Sequence, residues 1–128
     1  MNLLLDTATF LWWVTGDRAV SAEARAAIID PTRRVFLSSV SAWEITVKHG
    51  LGKLPLPESP AALIPKWRTD HEFEELALSE AAVLQLPRLP LLHRDPFDRM
   101  LVCQSIEHGL TIVTPDEAIR DYPVRTLW

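Results

Sequence analysis

Apolar positions in this chain cluster in short blocks, and the stretches between them carry helical spacing. Residues 2–5 read as a short strand, apolar from Leu3 to Leu5, as do Val35-Phe36-Leu37 and residues 110–114, the last with threonines beside its aliphatic residues. A run without alternation fits a strand covered on both faces. Residues 73–78 and 124–127 complete a set of five predicted strands. Helices are predicted between them, and their ends are signalled by caps and breakers. Thr7 opens a helix over 7–14 that Gly16 stops. Ser21 opens one through Ile29, closed by Pro31. A third runs from Ser41 or slightly earlier to His49, with Gly50 at the left-handed position after its last turn. Ser59-Pro60 and Asp95-Pro96 are cap-plus-proline starts, the first followed by Pro65, which is expected to kink or end its helix early. The second leads a helix to His108 that Gly109 terminates. Ser79 opens a short helix before Pro87, and residues 115–120 hold one turn or more.

Strands alternating with helices predict an α/β fold: a mainly parallel sheet between two helical layers, an α/β/α sandwich. No repeat or low-complexity stretch divides the chain, so residues 1–128 are read as one domain. Apolar residues at 48% and charged residues at 23% suit a globular protein. Thirteen basic against 17 acidic residues leave a net charge of −4, which argues against holding nucleic acid by charge alone. It does not argue against meeting phosphate through a bound cation. The lone cysteine, Cys103, excludes an intramolecular disulfide and a Cys-rich zinc module, and reads as a small buried apolar residue. His49, His71, His93 and His108 never fall three or four apart, which argues against a helical two-histidine metal site. No basic leader precedes the first strand, and no apolar run approaches the ~20 residues that span a bilayer. The expected location is the cytoplasm, with no membrane partner.

In a parallel sheet, ligands bind beyond the carboxyl ends of the strands, which draws attention to acids placed there. Asp6 directly follows the first strand, and Asp116 follows the fourth with one residue between. Asp98 sits in the first turn of the helix begun by Pro96, and Glu44 lies early in the helix after Val35-Phe36-Leu37. Each has a plain structural reading: Ser41 and Glu44 have capping-box spacing, and Asp98 gains from a helix dipole. Asp6 could cap the helix after it, but capping does not account for an acid ending an apolar strand. Several carboxylates in one pocket repel by roughly 4 kcal/mol per pair at about 4 Å and an effective dielectric of ~20. Such a cluster needs a cation, or some members must stay protonated. Oxygen ligands without cysteine or histidine favour Mg²⁺ or Mn²⁺ over zinc, and such ions can polarise a phosphoryl oxygen and deliver a hydroxide.

Leu3-Leu4-Leu5-Asp6-Thr7, Ser41-Ala42-Trp43-Glu44-Ile45, the run from His93 through Asp98-Arg99-Met100-Leu101-Val102, and Thr114-Pro115-Asp116 together resemble the PIN domain family. Within it, the chain looks most like the VapC-like ribonuclease toxins of type II toxin–antitoxin modules. The resemblance covers nearly the whole chain in the family's order, including the ending from Tyr122 to Trp128. It implies an α/β/α sandwich acting as a Mg²⁺- or Mn²⁺-dependent endoribonuclease. The metal-binding and catalytic residues it implies are Asp6, Glu44, Asp98 and Asp116. Asp6 and Asp98 would be the principal ligands, with Asp116 completing the site and Glu44 holding a second ion or orienting water. Asp95 competes with Asp98 for the third position, but its place before Pro96 makes it the better N-cap. Thr114 is a further candidate to hold water or phosphate, and Arg94, Arg99 and Lys48 to touch RNA backbone. Ala8 departs from the polar residue that relatives often carry there. The implied partners are an RNA substrate, a cognate antitoxin protein and a second copy of the chain as a homodimer.

Five tryptophans are many for this length. Core and interface packing is the favoured reading over base stacking, and one of the adjacent Trp12 and Trp13 is expected to leave the monomer core. Two other classes fail: a haloacid-dehalogenase-like phosphatase needs a second aspartate where Ala8 stands, and four glycines provide no phosphate-cradling loop. A PIN-like module that binds RNA or protein without cutting stays open as the alternative.

Overall fold

The computed structural model describes residues 1–128. Five parallel strands, β1 (Leu3–Leu5), β2 (Val35–Ser38), β3 (Glu74–Leu76), β4 (Thr111–Val113) and β5 (Thr126–Leu127), form one sheet in the order β3-β2-β1-β4-β5. Leu4 pairs with Phe36 on one side and Ile112 on the other. Seven α-helices cover the sheet: α1 (Thr7–Thr15), α2 (Ala22–Ile29), α3 (Ser39–Gly50), α4 (Pro60–Asp70), α5 (Glu80–Val83), α6 (Pro96–His108) and α7 (Glu117–Arg120).

The two-sided burial predicted from the apolar runs appears residue by residue. Leu3 and Leu5, Val35 and Leu37, and Val113 face a core built with Phe10 of α1, Ala24 and Ile28 of α2, and Ile64 of α4. Leu4, Phe36 and Ile112 face a second core with Leu101 and Val102 of α6 and Ile119 of α7. The period of two along each strand therefore feeds opposite layers, which is the α/β/α sandwich. Both edges are short, and β3 carries two glutamates, which discourages edge-to-edge pairing.

Three local expectations need correction. Helix α3 starts at Ser39, and its cap is Ser38, whose hydroxyl accepts the Val40 N–H at 2.9 Å. Ser41 instead accepts a hydrogen bond from the Thr7 hydroxyl at 2.9 Å, so Ser41 and Glu44 form no capping box. Gly50 lies inside α3, Leu51 caps it, and the left-handed residue is Gly52 at φ +72°. Pro65 lies inside α4 and does not end it. Its missing N–H would have met the carbonyl of Ala61, an exposed residue that water can serve, while Leu63, Ile64 and Trp67 anchor the helix to the core. The cap-plus-proline starts, and the stops at Gly16 and Gly109, stand as predicted. The outer strands are shorter than the segments 73–78 and 124–127 predicted for them.

Tryptophan placement also differs. Trp12 and Trp13 are both half-buried against the first core, Trp12 with its ring 5.9 Å from that of Trp128. The tryptophan that leaves the core is Trp43, 51% exposed and edge-on to Phe97 at 4.6 Å. Cys103 is buried, and that burial pushes its thiol pKa up, as befits a packing residue. No helix is long and apolar enough to cross a membrane.

Candidate active site

Sheet topology singles out one end of the molecule. The chain steps from β1 outward through β2 and β3, then returns to place β4 on the other side of β1. The connections part between β1 and β4, and in open α/β sheets the crevice beyond such a switch point takes the ligand. Asp6 ends β1 there, and Thr114, Pro115 and Asp116 follow β4.

Asp6 is 5% exposed. Its Oδ1 accepts the Thr9 N–H at 2.8 Å, capping α1, and its Oδ2 accepts the Thr114 hydroxyl at 2.6 Å. Thr114 in turn accepts the Asp116 N–H at 3.0 Å, and Asp116 caps α7 by accepting the Ala118 N–H at 2.9 Å. The Thr114 hydroxyl is thus committed to fastening Asp6 to the β4–α7 turn. Burial raises the pKa of Asp6 against the hydrogen bonds that hold its charge, and Asp116 raises it further.

Asp98 enters from the first turn of α6. Asp95 caps that helix, accepting the N–H groups of Phe97 and Asp98 at 2.9 and 3.2 Å, as predicted. The Asp98 carboxyl is pushed up to about 6, chiefly by burial and then by the charge of Asp95, with Glu44 and Asp116 adding to it. His93 opposes the shift through its Nε2, 3.2 Å from Asp98 Oδ2. Glu44 is 6% exposed in the second turn of α3, where no capping role explains it. It is paired with Lys48 one turn on, and this raises the Lys48 pKa.

Asp6, Asp116, Asp98 and Glu44 therefore lie along one arc, each in electrostatic range of the next. The amino ends of α1, α3, α6 and α7 face the same region, and their dipoles favour anions there. At Asp6 and Asp98, burial, with repulsion from neighbouring acids, still outweighs the hydrogen bonds that favour the charged form. No three Asp, Glu, His or Cys side chains close on one point tightly enough to enclose an ion by themselves. The donor set is nonetheless all hard oxygen in an open arc, which fits a cation that keeps much of its water, as Mg²⁺ does. A hollow of about 450 Å³ beyond the amino ends of β2 and β3 differs in holding two of its acids in ion pairs, Asp30–Arg33 and Arg34–Glu74.

The basic residues expected along this rim divide. Arg94 is exposed, Lys48 is held by Glu44, and Arg99 turns inward to the Pro90 carbonyl and the Tyr122 hydroxyl, at 3.0 and 2.9 Å. Sequence reasoning missed His93 and Tyr122. His93 lies five residues before Asp98, and only the turn at Asp95-Pro96 brings the two together, a fold-back that neither helical nor strand spacing encodes.

Comparisons with known proteins agree with this architecture. The PIN domain family model matches residues 3–124. Ribonuclease VapC16 of Mycobacterium tuberculosis (strain ATCC 25618 / H37Rv) is 46% identical over 43 residues, which span 34% of this chain and 30% of that protein. Crystal structures of VapBC2 from Rickettsia felis bound to a promoter DNA fragment and of DNA-bound VapBC from Salmonella typhimurium share the fold. The first has a TM-score of 0.76 at 14% identity, covering 99% of this chain and 98% of that one. The second has a TM-score of 0.72 at 19% identity, covering 99% and 97%. With the acids of its sheet, turns and helices on one rim and a family match across nearly all of its length, the chain belongs to the PIN domain family.

Proposed function

We propose that this protein is a Mg²⁺- or Mn²⁺-dependent endoribonuclease, the toxin of a type II toxin–antitoxin module. The observation that carries the reading is the convergence of four acids from four separate elements on the switch-point rim. Two of them, Asp6 and Asp98, are held above the ordinary carboxylate range. An acidic pocket of that kind is completed by a cation, and membership of the PIN domain family and the VapC16 likeness point to RNA as the polymer cut.

Asp6 and Asp98 would hold the ion, with Asp116 between them and Glu44 beyond Asp98 binding it directly or through water. When bound, such an ion neutralises charge developing on a phosphoryl group and acidifies a water beside it. The chain's own residues do the placing. Thr114 locks the Asp6 rotamer from one side and the α7 turn from the other. Lys48 fixes the Glu44 carboxylate and adds a positive charge at the rim. The converging helix amino ends favour the scissile phosphate in the crevice.

An antitoxin protein is the partner we assign, on the likeness to the VapBC structures. A second copy of the chain would cover exposed apolar surface that includes Trp43, Leu91 and Leu92. The test is cleavage of a total cellular RNA pool with new ends mapped by sequencing. Mn²⁺-dependent cuts at defined positions, abolished by EDTA and by Asp6→Asn, are expected. Cuts that persist in Asp6→Asn would contradict the assignment.

A further inference from the structure

We propose that His93, fixed as its neutral Nε2–H tautomer by Tyr122 and Arg99, is the positioning residue that sets the Asp98 carboxylate. The proposal rests on the metal-site reading above and adds to it residues outside the acidic set. The imidazole bridges two groups: its Nδ1 is 2.8 Å from the Tyr122 hydroxyl, and its Nε2 is 3.2 Å from Asp98 Oδ2. Tyr122 is 3% exposed, and its oxygen also receives an N–H of Arg99 at 2.9 Å.

The direction of these bonds follows from the one member that cannot reverse. A guanidinium has donors only, so the Tyr122 oxygen accepts from Arg99. The buried tyrosine proton then has a single acceptor in its network, His93 Nδ1. An imidazole accepting at Nδ1 carries its proton on Nε2, the atom that faces Asp98. The other forms fail on the same contacts. An imidazolium would give the tyrosine oxygen two donors and leave its own buried proton without an acceptor. The Nδ1–H tautomer would do that as well, and would also point a lone pair at a carboxylate oxygen. Arg99 further bonds the Pro90 and His93 carbonyls, at 3.0 and 3.5 Å, so the segment carrying His93 is tied to α6. The chain Arg99, Tyr122, His93, Asp98 donates in one direction and ends on Oδ2, leaving Oδ1 outside the relay. Histidines and carboxylates in metal sites are commonly oriented by such outer contacts, whose loss weakens metal affinity about 10- to 100-fold.

Two measurements on the full chain test this. The first is long-range ¹H–¹⁵N correlation of the histidine rings at pH 7.5 in EDTA, with the His93 signal assigned by its absence in His93→Gln. The Nε2–H pattern is expected in wild type, with redistribution in Tyr122→Phe; an Nδ1–H or imidazolium pattern in wild type would overturn the relay. The second is calorimetric titration with Mn²⁺. Gln can present an amide N–H where Nε2 stood, whereas the Asn amide reaches only the Nδ1 position. His93→Asn should bind about 10- to 100-fold more weakly and His93→Gln close to wild type. Equal losses in the two would show that His93 merely fills space. A wild type that binds no Mn²⁺ defeats the metal reading instead, and the ring pattern then decides the relay by itself.

Discussion

Asp98 shows most directly how function sits at odds with stability. Its carboxyl, raised from an ordinary 3.8 to about 6, favours the protonated form in the folded chain. The folded state therefore binds more protons than the unfolded one between about pH 4 and 6, and stability falls as pH rises through that window. The full shift corresponds to about 3 kcal/mol, reduced to roughly 1–2 kcal/mol because the side chain keeps some contact with water. Asp98→Asn mimics the protonated form, so in EDTA at pH 7.5 it should unfold at a higher temperature than wild type. The gain should vanish as pH falls to about 4. A mutant that is less stable than wild type at pH 7.5 would contradict the electrostatic account. Asp6 leans the same way for the same first cause, burial. What sequence conveyed at this scale was the identity of the acids. It did not convey that Thr114 is spent on Asp6, that Lys48 is spent on Glu44, or that His93 stands behind Asp98. Those are contacts between residues 108, 4 and 5 positions apart, and only the first and last needed the fold to be known.

At the scale of elements, the site is a by-product of helix starts. Asp6, Asp95 and Asp116 each cap a helix, and Asp98 lies in the first turn of α6. The cap at Asp95 separates structure from charge. Asp95→Ala should lose about 1 kcal/mol by urea denaturation, the usual cost of a missing cap. Asp95→Asn keeps the capping oxygen, removes the charge that raises Asp98, and should cost little. Equal losses in both would mean that the charge, not the cap, is what α6 requires. The predicted elements largely match because their signals are local: proline after a capping residue, glycine after a last turn, unbroken apolar runs. The misses arise where tertiary contacts override a local signal. Ser41 has the spacing of a cap, but Thr7 from α1 claims its hydroxyl, and Ser38 serves α3 instead. Pro65 has the chemistry of a breaker but lies on a solvent-facing turn of a helix anchored from its other side.

Across the whole molecule, charge and topology make one argument. A net charge of −4 repels RNA overall, so affinity for it should come through the cation and the few exposed basic groups at the rim. Filter binding of a non-cleavable RNA should therefore be weak in EDTA and restored by Mn²⁺. Binding of equal strength in EDTA would contradict this and favour a basic surface as the contact. The parallel sheet was legible because β1, β2 and β4 have no polar alternation. Its strand order was not, since nothing local says that β4 returns beside β1. That return brings Asp116 to Asp6 from 110 residues away, and with it the arc of acids.

The central claim, that this arc is a metal site, is tested most directly by calorimetric titration of Mn²⁺ into the purified protein, wild type against Asp98→Asn. Saturable binding by wild type that is lost or strongly weakened in the mutant is the predicted result. No binding by folded wild type at millimolar metal, or equal binding by the mutant, would contradict it.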